Sequence, residues 1–166
     1  MTRYFLLEEL KRFCEEKTAR YQMPTAVQQG DACNHPARPA VHKMRLPLSR
    51  EWKRYAPYIL IQLVTGFDAQ PTGDRTDSTV LIRFIFCVYN KNESEGSLDL
   101  INLMDTLCIA LLEDTYVGRS FQLDREKGVE TLIYPDDTAP YYAGEMAATF
   151  VIPAIKGQVD ILWPRK

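Results

Sequence analysis

The sequence is poor in the features that mark a catalytic or phosphate-binding site. It has only eight glycines in 166 residues, and it contains no glycine-rich phosphate loop, no G-x-S-x-G nucleophile elbow and no H-E-x-x-H helix. Its paired carboxylates, Glu8-Glu9, Glu15-Glu16 and Asp136-Asp137, are neighbours in sequence, and such neighbours rarely face one pocket as acid–base catalysis requires. We therefore expect no catalytic residues and no cofactor.

The charge and the hydropathy pattern exclude two further classes. A formal net charge of −2 and a pI of about 5.7 argue against a protein whose main task is to neutralise nucleic-acid phosphates. No apolar run approaches the roughly 18 residues that a membrane span needs. Residues 1–17 read as an amphipathic helix and not as a signal peptide, so we expect synthesis in a cytoplasm and no membrane partner.

The four cysteines include no CxxC pair. Three of them, Cys14, Cys87 and Cys108, fall in apolar patterns and are expected to be reduced, buried thiols. The fourth, Cys33, lies close to both histidines of the chain, His35 and His42. This spacing matches no common zinc pattern, so we expect ordinary loop residues and no metal; a small metal-binding enzyme or regulator built on these three residues is the alternative.

The chain is predicted to form a single domain, residues 1–166, in three parts. An N-terminal helix covers residues 1–20, with Thr2 as its N-cap and a buried face that consists of Leu6, Leu7, Leu10, Phe13 and Cys14. Residues 22–40 contain three prolines and a glycine and are predicted to be an irregular connection. Residues 41–166 are predicted to be an α+β core.

Strand patterns dominate this core. Residues 58–65 are apolar on both faces, which predicts a strand covered on both sides. Residues 79–89 alternate, with Arg83 as the one charged residue, which should lie at the strand edge or pair with a carboxylate. A short edge strand is predicted near 41–46, and further strands at 129–135 and 146–155, joined by a turn, with residues 159–163 as a candidate last short strand.

A second helix is predicted from Leu98 to Glu113, with Ser94 or Ser97 as its N-cap. Its polar residues form one narrow stripe, so it should be buried around most of its girth, either within the domain or under a second subunit. The fold class that follows is α+β: a mixed, mostly antiparallel sheet of four to five strands, with two main helices packed on it and a long protruding β-hairpin.

The hairpin is unusual because about a dozen residues separate its two strands, where two to five would suffice. Three segments together resemble the tail terminator and minor tail-component proteins of long-tailed bacteriophages and prophages. They are "VTGFDAQPTGDRTDSTVLIRFIFCVYN", "NESEGSLDLINLMDTLCIALLED" and "PYYAGEMAATFVIP", and the resemblance spans roughly residues 40–155. The resemblance implies an α+β subunit in a ring, commonly hexameric, that caps the tail tube and presents the head-joining surface.

The same resemblance implies the partners and the site. The partners are further copies of the chain, the tail tube protein and the head–tail connector, with DNA only passing through the lumen. The protein belongs in the virion tail and is made in the cytoplasm of the bacterial host. The hairpin tip is the expected subunit or tube interface, and its site residues are Phe67, Asp68, Gln70, Asp74, Arg75 and Asp77.

The alternative within the same assembly class is another head–tail connector, a completion protein or a tube protein. Tube subunits usually need a longer sheet than four to five strands, which favours the terminator. A nucleic-acid-binding adaptor is disfavoured by the acidic pI.

Overall fold

The computed structural model describes residues 2–26, 35–68, 78–135 and 138–152. Its elements in chain order are α1 (Arg3–Lys17), β1 (Ala40–Lys43), a 3₁₀ helix (Ser49–Tyr55), β2 (Tyr58–Phe67), β3 (Ser78–Tyr89), α2 (Glu93–Glu113), β4 (Tyr116–Val117), β5 (Phe121–Leu123), β6 (Val129–Ile133) and β7 (Tyr141–Ile152). The candidate strand at 159–163 lies outside the described residues.

The strands form one mixed sheet in the order β1-β2-β3-β7-β5-β4, and β6 also pairs with β7. Only the β1–β2 pair is parallel among the described strands, and the other pairs are antiparallel. The α+β class is therefore confirmed, but the predicted number of four to five strands is wrong, because the described residues form seven. The strands missed are β4 and β5, whose two and three residues are too short to show an alternating pattern.

The last strand is longer than its pattern indicated. The sequence predicts a turn up to residue 144, whereas β7 begins at Tyr141 and pairs with β3 along twelve consecutive positions. Tyr141 lies opposite Tyr89, and Tyr142 lies opposite Val88. The long partner strand and these cross-strand aromatic contacts extend pairing into a segment whose sequence is typical of a turn.

Both helices lie on one face of the sheet. The Thr2 hydroxyl accepts a hydrogen bond from the backbone N–H of Phe5, so the predicted cap of α1 is confirmed. The buried residues of α1 are those of the predicted face, with Phe13 half-buried at its margin: Leu6, Leu7, Leu10 and Cys14. The cap of α2 is Asn92 and not a serine, since the Asn92 side chain accepts from the Ser94 N–H at 3.1 Å.

The main core lies between the helices and the sheet. The predicted inward face of β3 is confirmed, because its five side chains are at most 1% exposed: Val80, Ile82, Phe84, Phe86 and Val88. A smaller cluster on the opposite face of the sheet packs Tyr58, Leu60 and Cys87 against residues 46–56. This cover reaches only the first half of β2, so the prediction that β2 is covered on both sides holds for residues 58–61 alone.

The prediction that α2 is buried around most of its girth is wrong for the single chain. Leu98, Ile109 and Leu112 are 52%, 54% and 44% exposed. The helix packs on the sheet through one side, and no described element covers the other. Among the described residues, no helix has both the length and the apolar character that crossing a bilayer requires.

Candidate interaction surface

The root of the β2–β3 hairpin holds two of the six predicted site residues. Phe67 pairs with Thr79 at the end of the ladder, and its side chain is 64% exposed. Asp68 follows it and is exposed. The other four predicted residues, Gln70, Asp74, Arg75 and Asp77, lie outside the described residues. The structure thus presents Phe67 to solvent at the end of two long paired strands.

The first turn of α1 anchors this root. The Arg3 guanidinium forms an ion pair with the Asp68 carboxylate. It also lies over Gly66, where a Cβ atom would be only 2.7 Å from the Arg3 Nε. Asp68 was predicted to be an interface charge, but within the chain it already has a partner. Both side chains are exposed, so the pair contributes at most about 1 kcal/mol to stability.

The outer half of β2 has a free edge in the described part of the chain. β1 ends at Lys43, opposite Ile61, and the later residues of β2 pair only with β3. A bulge interrupts the ladder between Leu63 and Thr65. Bulges of this kind twist a strand edge and reduce its capacity to pair with other strands. The root of the hairpin is therefore better suited to side-chain contacts than to the addition of a strand.

A polar network crosses the sheet face that the helices leave open. Arg83 donates from Nη2 to the Gln62 side-chain oxygen at 2.7 Å, and its Nη1 lies 3.7 Å from the Glu145 carboxylate. Tyr134 donates its hydroxyl to Glu145 at 2.7 Å. The prediction that Arg83 pairs with a carboxylate is therefore confirmed. Burial, and then the hydrogen bond to Glu145, raise the pKa of Tyr134 to about 12. The Tyr134 hydroxyl therefore stays protonated near neutral pH and continues to donate to Glu145.

The outer side of α2 carries a regular stripe of exposed residues. They follow each other at spacings of four, three, four and three: Leu98, Asn102, Asp105, Ile109 and Leu112. This is the spacing of the contact positions in a coiled coil, and three of the five side chains are large and apolar. We call it the α2 seam. The sequence indicated this surface only through one of the two alternatives for this helix, namely that a second subunit covers it.

The two histidines occupy different surroundings. His42 lies in β1, half-buried, with its ring edge-on to Tyr55 at 5.8 Å between centroids, and its Nε2 has no hydrogen-bond partner among the described residues. Burial, and then the nearby Lys11 charge, lower the pKa of His42. His35 is exposed, and Cys33 lies outside the described residues. In the parts of the chain that the structure covers, no three His, Cys, Asp or Glu side chains come together as metal ligands would.

The described surface includes depressions of about 500, 410 and 360 Å³. None combines apolar enclosure with convergent polar groups as small-molecule sites do. The smallest is lined by Glu130, Leu132 and Glu145 at the edge of the open sheet face. Comparison with protein-family models and with curated proteins finds no match to this chain.

Proposed function

We propose that this chain is a structural, non-enzymatic component of a bacteriophage tail. In this proposal it is a tail terminator, whose copies close into a ring, commonly of six, on the end of the tail tube. One ring face docks on the tube and the other receives the head–tail connector. The protein is made in the cytoplasm of the bacterial host and remains in the virion tail.

The observation that carries the proposal is the α2 seam. Its apolar members are about half exposed in the single chain, although the opposite side of the helix packs on a well-formed core. Ile109 and Leu112 lie one turn apart and form adjacent exposed apolar surface, which on a folded subunit marks a contact with another protein. The helical spacing and the rigid support from the sheet favour a contact with another folded surface, as ring closure or docking on a tube requires.

The hairpin root supports the same proposal. A closed ring uses head-to-tail contacts, in which one patch meets a different patch on the neighbour. Phe67 is a large exposed aromatic side chain at the end of a rigid pair of strands, as the anchor residues of protein interfaces are. Its position lets it reach across a subunit boundary or onto the tube. DNA would pass through the lumen without a binding site on this chain.

The native mass of the purified chain tests the proposal. Light scattering over a wide concentration range, alone and with the tube protein of the same phage, should give a closed oligomer of about six copies. Electron microscopy of the same samples should show single rings or rings on tube ends. Replacing Ile109 and Leu112 by Ser should reduce this assembly while circular dichroism stays unchanged. Phe5→Ser, at a comparably exposed position on α1, is the matched control.

The structure favours a second candidate function, that of a tube protein, more than the sequence did. The tube-protein alternative was disfavoured because four to five strands are too few, but the described residues form a sheet of seven strands. A tube protein would polymerise into long tubes, whereas a terminator would stop at one ring. The same micrographs therefore separate the two functions. A monomer that binds neither itself nor the tube would contradict both.

A further inference from the structure

β6 forms one edge of the described sheet. Within the described part of the chain this strand pairs with β7 alone, and four of its five residues are exposed. Leu132 is 54% exposed, and Ile133 is 45% exposed. An unpaired strand edge with apolar side chains is a template for contact with another chain. The edge therefore offers both backbone and side-chain groups to a partner.

The same edge is acidic. Glu130 and Leu132 face the open side of the sheet, where they and Glu145 line the 360 Å³ depression. Glu145 already binds Tyr134 and Arg83, whereas Glu130 takes part in no ion pair among the described residues. We call Glu130, Leu132 and Glu145 the acidic edge. A partner that fits it carries a cation beside an apolar side chain.

A basic segment begins at the opposite edge of the same sheet, at the end of β1, and continues over the open face to the Tyr141 ring of β7. Residues 43–54, which follow from β1, contain five Lys or Arg and one Glu. Lys43 pairs with Glu8, Arg54 pairs with Glu51, and Lys53 lies over the Trp52 and Tyr141 rings.

Two arginines of this segment remain for a partner. Arg45 and Arg50 are exposed and form no ion pair with a described residue. Met44 and Leu48 lie between or beside them and are 43% and 54% exposed. We call Met44, Arg45, Leu48 and Arg50 the basic loop.

We propose that the acidic edge of one copy docks on the basic loop of the next copy. The charges are complementary, and each patch supplies exposed apolar surface beside its charges. The acidic edge lies on β6, and Arg45 of the basic loop follows β1 at the other edge of the sheet, so the contact is head-to-tail and each subunit uses both patches. A two-fold contact of either patch with itself would bring like charges together. This contact rests on the homo-oligomer of the proposed function, but not on its role at the tail tube.

Two single-charge variants test the contact. Glu130→Arg and Arg45→Glu should each raise the dissociation constant of the oligomer by about tenfold or more, because each replaces attraction by repulsion. Mixing the two variants in equal amounts should restore assembly. In an alternating ring, every introduced arginine meets an introduced glutamate, and every remaining contact is that of the unchanged chain. Sedimentation velocity at low and high salt measures all of these states.

Matched controls separate this contact from general charge effects. Glu126→Arg reverses an exposed carboxylate in the turn before β6, and Lys91→Glu reverses an exposed cation before α2. Both should leave the association constant unchanged. Circular dichroism should show the same fold for all four variants, since the altered side chains are exposed.

The outcomes distinguish this contact from the ring itself. A chain that forms the ring while Glu130→Arg and Arg45→Glu leave its mass unchanged overturns this contact and leaves the proposed function standing. Weakened variants that fail to restore assembly on mixing also overturn the contact. A chain that stays monomeric at every concentration, alone and with the tube protein, overturns both.

Discussion

The Arg3 guanidinium in the first turn of α1 is ion-paired with the Asp68 carboxylate, 65 positions along the chain, where β2 ends. The pair joins the start of one helix to the root of the hairpin. It also holds the Arg3 side chain over Gly66.

Replacing Arg3 by Gln should loosen the hairpin root without unfolding the protein. Both partners are exposed, so the free energy of unfolding should change by less than about 1 kcal/mol. Amide hydrogen exchange at Gly66 and Phe67 should become faster, because the side chain that covers this end of β2 is shortened and its charge removed. Exchange measured by mass spectrometry or NMR checks this result.

Arg12→Gln is the control for Arg3. Arg12 pairs with Glu9 within α1, so its loss should leave exchange in β2 unaltered. Equal exchange at Gly66 in the unchanged chain and in the Arg3→Gln variant would show that the ion pair does not hold the root.

Gly96→Ala should destabilise the protein, although alanine is the better helix former. In an open helix position the change would stabilise by up to about 1 kcal/mol. Here a Cβ atom would lie 2.0 Å from Cε2 of the Tyr142 ring, so the ring, or the helix and strand with it, must shift. We expect a loss of about 1–3 kcal/mol by urea unfolding. Ser97→Ala, at an exposed position of the same helix, should change stability by less than about 0.5 kcal/mol. A stabilising Gly96→Ala would mean that the ring moves aside freely.

The buried thiols should resist alkylation in the folded protein. Cys14 and Cys87 are 0% exposed. Burial raises the pKa of both thiols, that of Cys87 to about 12, so the reactive thiolate is scarce as well as inaccessible. Peptide mapping after iodoacetamide treatment at pH 8 should find both unmodified until denaturant is added. Cys108, which is half-buried, should react slowly. Rapid modification of Cys14 without loss of structure would contradict this packing.

Stability should fall in mild acid through His42. The folded-state pKa of His42 is lowered from 6.5 by burial, and its Nε2 has no described partner that would stabilise the proton. The unfolded chain therefore binds more protons than the folded chain as the pH falls below about 6.5. The contribution of the neutral His42 side chain to the free energy of unfolding is complete above that pH of about 6.5. It is lost as the pH falls through the folded-state pKa of His42.

The histidine resonances measured by NMR provide the check. The His42 signal should titrate with a midpoint below 6.5, and His42→Gln should reduce the fall in unfolding free energy between pH 7.5 and 5. His35→Gln, which changes an exposed side chain, assigns the second resonance and serves as the control. A His42 midpoint above 6.5 would contradict this burial and would place a carboxylate at the imidazole.

The sequence by itself determined the elements whose patterns are long and local. The helical spacing of Leu6, Leu10 and Cys14 defined the buried face of α1, and the alternation along β3 defined the inward side of the sheet. Arg83, a charge in an apolar strand, indicated a carboxylate partner, which is Glu145. These features depend on contacts between near neighbours or on burial, and both produce apolar residues at a regular spacing in the sequence.

Only the tertiary structure decided the features that depend on distant segments. β4 and β5 are too short to have a period, and β7 extends to Tyr141 because β3 is there to pair with it. The outer side of α2 is exposed because only one face of this helix meets the sheet. The acidic edge and the start of the basic loop lie at opposite edges of the sheet because the strand order places β6 and β1 there. Strand order results from non-local pairing, for which a single sequence carries no periodic signal.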